Sequence, residues 1–161
     1  TPEELSDEAT RSLRTAQARP EAIRLNELMD EPQPTDVISY VYLWRAEKER
    51  GLEDGRKTRP CLVLSTYKAR GQLRVITAPI TTRNYDSSFT LPIPPRVTAH
   101  LGLDDRSRVV WNDLNEFAWV GPDVRGTVDG SPFIGIMPEA LWRRVIDNVI
   151  KLRIDPTHRS E

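Results

Sequence analysis

The sequence predicts a small, mainly β domain, closed into a barrel or strongly coiled, with a C-terminal helix and a helical N-terminal extension. Two observations predict this fold. Five or six short segments rich in β-branched and aromatic residues are separated by charged or glycine- and proline-bearing loops. One amphipathic segment then closes the chain. Barrel closure or dimer formation would remove the exposed edges that so small a sheet otherwise leaves.

The N-terminal extension and linker are predicted to cover residues 1–35, the main domain 36–154 and a tail 155–161. Thr1, Pro2 and Glu4 resemble a capping box with proline at the first helical position. Apolar residues follow at helical spacing, namely Leu5, Ala9, Leu13 and Ala16. Pro20 interrupts this pattern and favours a second short helix. The linker then runs through 31–36, where two prolines favour a loop.

Strands are predicted in the main domain at DVISYVYLW (36–44), PCLVLST (60–66), LRVITAPI (73–80), FTLPI (89–93) and FIGIM (133–137). Pro92 favours an edge position for the fourth. The segment 107–120 is predicted as a strand that bends or breaks near Asn115. A short helix is expected at 97–103, with Gly102 near its end, and a longer one at 138–152. The longer helix carries one apolar stripe of Leu141, Val145, Ile146, Val149 and Leu152.

Charge is distributed unevenly along a chain whose net charge is only −1. Residues 1–35 hold eight acids and four arginines, a net charge of −4, which leaves +3 for residues 36–161. The positive charge of the main domain therefore weakly favours an anionic partner.

Cys61 is the sole cysteine and lies in an apolar run, so a buried core position is expected. With only His100 and His158 besides, neither a metal site nor a cofactor is expected.

No membrane association is expected, because no segment approaches the roughly 18 apolar residues that span a bilayer. The acidic, polar N-terminus is unlike a signal peptide, so we expect a cytoplasmic protein.

Two segments carry a resemblance to a known family. GRKTRPCLVLS (55–65) joins a charged, glycine-bearing loop to an Arg-Pro step, Arg59-Pro60, that opens an apolar strand. VITAPITTR (75–83) ends a second strand in a threonine pair, Thr81-Thr82. In this order they resemble the MazF/PemK family of type II toxins, over about residues 36–152. The stretch 102–123 is more similar to a divergent PemK-like subgroup.

The resemblance implies an SH3-like barrel that forms a homodimer and is bound by a cognate antitoxin protein. It also implies a metal-independent endoribonuclease, a hydrolase acting on single-stranded RNA, in which the 2′-hydroxyl attacks the phosphate. By motif position, Arg59 and Thr81 carry over as the catalytic pair.

The residue chemistry fits these implied roles only in part. The planar guanidinium of Arg59 suits the charge that builds on a phosphate under attack, but it is a poor general base. Thr81 can donate a hydroxyl hydrogen bond to the phosphate. Asp54 or Glu53, in the preceding loop, is the candidate base, with a solvated loop charge as the alternative; His100 is a weaker candidate. Without the resemblance, Arg59 would be a surface ion-pair residue and Thr81 an ordinary strand-end threonine.

RNA binding calls for a basic track and flat side chains on which bases stack. The candidates for the track are Lys48, Arg50, Arg56, Lys57, Thr82 and Arg83. Trp44 and Trp119 are candidates for stacking, although tryptophan in a small barrel also suits the core. Trp142, on the last helix, is expected to pack.

Two other functions stay open at this point. A CcdB-like gyrase binder shares the barrel without an active site, but it is distinguished by lacking the Arg-Pro and Thr-Thr motifs. A degenerate family member would keep the fold as an interaction module.

The acidic extension has three open roles. It could fold across the basic groove as an antitoxin would, stabilise a dimer, or form a loosely attached arm.

Overall fold

The computed structural model describes residues 6–18, 31–41, 58–83, 87–119 and 133–154, and it confirms a mainly β fold with helices. The helices are α1 (Asp7–Ala18), α2 (Pro95–Leu101) and α3 (Glu139–Val149), which continues into a π-helical turn at Ile150–Ile154. A 3₁₀ turn lies at Ser87–Phe89. The strands are β1 (Asp36–Val41), β2 (Thr58–Ala69), β3 (Gln72–Thr81), β4 (Thr90–Pro92), β5 (Arg108–Val110), β6 (Asn115–Ala118) and β7 (Phe133–Ile136).

The described strands form one antiparallel sheet in the order β4-β5-β3-β2-β1-β7. The far edge of β3 is shared by two strands, since β6 pairs with Arg74–Thr77 and β5 with Ile80–Thr81. The predicted strand 107–120 is therefore broken at 111–114, just before Asn115, as its sequence indicated. Within the described residues β4 and β7 stay at opposite ends of the order, so a closed barrel is not confirmed.

One face of the sheet holds the main hydrophobic core, which we call the core face. Leu62, Leu64, Ile76 and Ile80 project from β2 and β3 into this core, and all are fully or almost fully buried. All three helices contribute to the same core. Each strand therefore presents alternate residues to the helices, and the intervening residues belong to the opposite, second face.

A β-bulge in β2 ties the sheet to its flanking elements. The register of β2 against β3 shifts between Val63 and Ser65. The carbonyl oxygen of Val63 accepts hydrogen bonds from the indole Nε1 of Trp142 and the backbone N–H of Thr35, each at 3.1 Å. Trp142 is completely buried, as expected of a packing residue, and its N–H would cost about 1–3 kcal/mol if left without an acceptor.

The described part of the N-terminal extension is an integral part of the core. Ala9, Leu13 and Ala16 of α1 are at most 3 % exposed, which confirms their predicted shared face. Ser12 donates to the hydroxyl of Ser65 at 2.9 Å, and the carbonyl of Gln17 accepts from Arg143 at 2.7 Å. The hypothesis of a loosely attached arm is wrong for α1. The predicted capping box and second helix lie outside the described residues.

Within the described residues, Ser6 caps α1, since its hydroxyl accepts a hydrogen bond from the N–H of Ala9 at 3.0 Å. The short helix α2 ends as predicted, with Gly102 in the left-handed conformation at φ 71°. The α3 stripe is confirmed at Val145, Ile146 and Val149, while its outer members Leu141 and Leu152 are half-buried.

The burial of α1 generates a stability prediction. Leu13→Ala should lower the free energy of unfolding by about 2–5 kcal/mol, because it removes a completely buried side chain and leaves a cavity between α1 and the sheet. Urea unfolding followed by circular dichroism measures the change. Arg11→Ala, on the exposed side of the same helix, is the matched control and should change stability by less than about 0.5 kcal/mol. Equal effects of the two substitutions would contradict the packing of α1.

Candidate functional site

The strand register aligns three polar residues across the middle of the sheet. Cys61 of β2 lies opposite Pro79 of β3 in the last pair of that ladder, and Arg59 and Thr81 each lie two residues beyond it on the two adjacent strands. On the other edge of β3, Thr81 pairs with Arg108 of β5. We call Arg59, Thr81 and Arg108 the cross-strand row. Arg59 and Arg108 therefore belong to the two strands that flank β3, on either side of Thr81.

The cross-strand row belongs to the second face of the sheet. Directly opposed residues in an antiparallel pair point to the same side, and Cys61 belongs to the second face. Arg59 precedes Cys61 by two residues and therefore shares that side. The helices pack on the core face. The described part of the acidic extension, α1, thus does not cover the row.

Thr81 is buried, with 3 % of its surface exposed. Its Oγ1 accepts a hydrogen bond from the backbone N–H of Arg83 at 3.0 Å, which closes a tight turn at the end of β3. Thr82 and Arg83, by contrast, are exposed. The hydroxyl of Thr81 therefore already orders the chain that follows, and its hydrogen is still available for an acceptor.

Arg108 is a member of the row that the sequence analysis missed. Its Nε is buried and lacks a hydrogen-bond partner. Among the described residues, every other buried side-chain nitrogen or oxygen has such a partner. Arg59 is half-buried and engaged by other groups. The available signal was a cation directly before the apolar pair Val109-Val110, inside a predicted strand.

Arg106, two residues earlier, has the opposite environment. Its guanidinium makes an ion pair with Asp104 at 2.9 Å and hydrogen-bonds the same carboxylate through Nε at 3.0 Å. These hydrogen bonds hold the pKa of Asp104 well below its usual range. The charge of Arg106 is thus already matched by an acid, whereas the structure gives Arg108 no such ion pair within the described residues.

Trp119 lies in an aromatic cluster at the other end of β3. Its ring centroid is 6.5 Å from that of Phe117 and 5.9 Å from that of Phe133, and its side chain is half-buried. The backbone N–H of Trp119 donates to the carbonyl of Leu73, which lies eight residues before Thr81 on β3. Eight extended residues span roughly 26 Å, so the structure does not bring Trp119 to the cross-strand row.

The remaining predicted site residues are divided between the described and undescribed parts of the chain. Thr82 and Arg83 directly follow the row and are exposed. His100 is exposed on α2, away from the three strands that carry the row. The predicted candidates Lys48, Arg50, Glu53, Asp54, Arg56, Lys57 and Trp44 lie outside the described residues.

A separate cavity of about 310 Å³ lies between α1 and the end of β2. Its lining includes Arg11, Ser12, Ser65 and Lys68. Ser65 is six residues along β2 from Arg59, which corresponds to roughly 20 Å of extended strand, and it faces the core side. This cavity is therefore distinct from the cross-strand row.

Cys61 lies two residues from Arg59 on β2. Its side chain is 1 % exposed, which confirms its predicted burial. Burial raises the pKa of its thiol from 9.0 to about 12, and a hydrogen bond with Thr77 offsets only part of that effect. The thiol is thus a neutral packing group beneath the row rather than a nucleophile.

Two other kinds of feature, a metal site and a membrane-spanning helix, do not occur among the described residues. No three histidine, cysteine, aspartate or glutamate side chains lie together where they would hold a metal ion. No helix there is both long and apolar enough to cross a membrane.

Comparison with known protein families gives a match over part of the chain. The model of a family described as PemK-like, MazF-like toxin of type II toxin–antitoxin systems matches residues 40–117. The matched segment includes every residue of the cross-strand row, whereas α1 and α3 lie outside it. No curated protein matches the chain.

The raised pKa of Cys61 predicts slow alkylation of the native protein. At pH 8 only roughly one thiol in ten thousand is ionised when the pKa is about 12, and thiolate is the reactive form. Iodoacetamide labelling followed by mass spectrometry should therefore rise in parallel with urea unfolding. Rapid stoichiometric labelling in native buffer would contradict the packing of Cys61. Because the folded pKa lies above 9.0, this burial contributes stability that is present below pH 9 and lost as the pH rises toward 12.

Proposed function

We propose that the chain is an endoribonuclease toxin of the PemK-like, MazF-like family of type II toxin–antitoxin systems, whose family model matches residues 40–117. Its substrate is single-stranded RNA. The 2′-hydroxyl of a nucleotide attacks the adjacent phosphate, so the chain itself needs neither a covalent intermediate nor a metal ion. The products carry a 2′,3′-cyclic phosphate and a 5′-hydroxyl.

The observation that supports this proposal is the β2–β3 pairing, which ends at Cys61 and Pro79 and leaves Arg59 and Thr81 on adjacent strands, each two residues beyond that last pair. The sequence resemblance assigns catalysis to these two residues, which lie 22 positions apart on different strands. Attack on phosphorus increases the negative charge on the non-bridging oxygens, and a guanidinium fork matches their geometry. Arg59 then stabilises the developing charge, while the hydroxyl of Thr81 donates to a phosphate oxygen.

Neither residue of this pair suits proton removal from the 2′-hydroxyl. Arginine keeps its proton under ordinary conditions, and threonine is a weak base. We therefore retain Asp54 or Glu53 as the proposed base, in the loop that leads into β2. Lys48, Arg50, Arg56, Lys57, Thr82 and Arg83 are proposed to contact the RNA backbone.

The family premise also supplies partners for the proposal. A type II toxin is paired with a protein antitoxin that neutralises it, so we propose an antitoxin as the physiological partner. A homodimer acting in the cytoplasm completes the proposed arrangement.

The burial of Thr81 favours a second candidate function. A hydroxyl that is 3 % exposed reaches a phosphate only if the surrounding structure moves. If it does not move, the chain is a non-catalytic member of the family that uses the fold for binding, either as a degenerate interaction module or as a CcdB-like inhibitor. The cleavage assay below separates these functions.

Purified full-length chain should cleave a mixed pool of single-stranded RNA in the presence of EDTA. Arg59→Ala should reduce the rate roughly a hundredfold or more, because loss of one such donor raises the barrier by about 3 kcal/mol. Gel electrophoresis with end-group analysis measures both the rate and the 2′,3′-cyclic phosphate. Arg96→Ala, on the exposed surface of α2, is the matched control and should keep full activity. Growth inhibition without cleavage of any RNA would establish the non-catalytic alternative.

Thr81 offers a buried hydroxyl donor and Thr82 an exposed one, so substitutions at the two positions distinguish their roles. Thr81→Val should lower kcat roughly tenfold to a hundredfold, since a hydrogen bond to a charged group contributes about 1.5–3 kcal/mol. Thr82→Val, the neighbouring control, should change kcat less than threefold. Steady-state cleavage kinetics of one labelled RNA measure both variants. The reverse ranking would assign the hydroxyl role to Thr82 and remove Thr81 from the proposed site.

A further inference from the structure

We infer that Arg108 is a second phosphate-binding cation of the same site and contacts the RNA strand from the side of Thr81 opposite Arg59. This inference rests on the proposed function, because it takes RNA phosphate as the anion. It adds a residue that the two sequence motifs do not contain.

The position of Arg108 is fixed by two independent pairings. Arg108 is a residue of β5 and lies opposite Thr81 of β3. On its other side, it pairs with Pro92 of β4. Thr81 in turn lies two residues beyond Pro79, whose partner on β2 is Cys61, and Arg59 lies two residues before Cys61. Since directly opposed residues share a face, both guanidinium groups project from the second face with one threonine between them.

The environment of Arg108 is costly for the protein in the absence of a ligand. A buried donor without an acceptor loses its hydrogen bonds to water and gains none in return. The Nε of Arg108 is in this state. Replacing it with an apolar side chain should therefore maintain or improve folding, so a role in stability does not account for it. Local sequence choices that oppose stability are typical of functional sites.

The anion that best matches this arrangement is a phosphate. Guanidinium groups bind phosphate through parallel N–H donors, and the Nε is one of the donors that a bidentate contact uses. Arg106 already makes an ion pair with a carboxylate at 2.9 Å, whereas no carboxylate of the described residues makes an ion pair with Arg108. Two cations flanking one hydroxyl hold a phosphate between them and fix the strand that carries it.

The test uses Arg108→Met in the full-length chain, with Arg108→Lys and the control Arg106→Gln. Arg106→Gln removes the same charge from the same segment, but from an arginine already paired with Asp104. Binding is measured with a single-stranded RNA that carries 2′-O-methyl groups and is not cleaved, across a series of salt concentrations. Cleavage of the unmodified RNA gives kcat and KM, and thermal unfolding reports the fold.

Arg108→Met should weaken RNA binding and reduce the slope of log affinity against log salt by about 0.7, the contribution of one phosphate contact on a single strand. Its unfolding midpoint should equal or exceed that of the wild type, since a buried unpartnered donor is gone. Arg108→Lys should restore most of the salt slope but not the full cleavage rate, because lysine keeps the charge without the fork. Arg106→Gln should resemble the wild type in binding and cleavage.

Three results would overturn the inference. An unchanged salt slope and unchanged kinetics in Arg108→Met would remove Arg108 from the site, while wild-type cleavage would leave the proposed function intact. A lower unfolding midpoint with a proportional loss of binding would make Arg108 a structural residue. If the wild type cleaves no RNA but Arg108→Met still lowers affinity and slope, the ribonuclease proposal fails and the phosphate contact stands. If the wild type binds no single-stranded RNA, both fail.

Discussion

The pairing of β2 with β3 is the constraint on which both the fold and the proposed site depend. Its register decides which residues of each strand face the helices and which face the other way. A shift of one residue would exchange the buried leucines of the core face for Arg59 and Cys61. Because the core face holds completely buried side chains, that exchange is strongly unfavourable. The same hydrophobic burial that stabilises the fold thus fixes the register that ends at Cys61 and Pro79, just before Arg59 and Thr81 on the two strands.

The β-bulge in β2 connects this pairing to the rest of the molecule. It lies between Val63 and Ser65, and the carbonyl of Val63 binds both the indole of Trp142 and the N–H of Thr35. Beyond the bulge, Ser65 faces α1 and accepts from Ser12. The two halves of β2 therefore have different roles. The first half carries the residues aligned with Thr81, and the second half anchors both terminal helices.

Several parts of this structure were predictable because their signals are local. The apolar face of α1, the amphipathic α3, the edge position of β4 and the interruption before Asn115 all follow from patterns within one segment. The bulge was not predictable, since the run CLVL is buried on both faces and shows no alternation. Closure of the sheet was expected but depends on pairing between distant strands, and the described strands do not close.

The candidate site shows the same division between local and nonlocal information. Arg59 and Thr81 are recognisable from short motifs at the ends of two strands, and the family match covers both. Arg108 belongs to no motif, because its significance comes only from the strand that lies beside Thr81. The burial of Thr81 also depends on tertiary packing and runs against the simple expectation of an open hydroxyl. Several basic and acidic candidates lie in 42–57, outside the described residues.

In the proposed site, the guanidinium groups of Arg59 and Arg108 hold one strand of RNA across Thr81. Nuclear magnetic resonance of the arginine Nε–H groups, during titration with non-cleavable 2′-O-methyl RNA, tests this arrangement. We expect the Nε–H signals of Arg59 and Arg108 to shift together and saturate at the same RNA concentration, while that of Arg144, exposed on α3, stays constant. Saturable binding that shifts other arginines and leaves these two unchanged would contradict it.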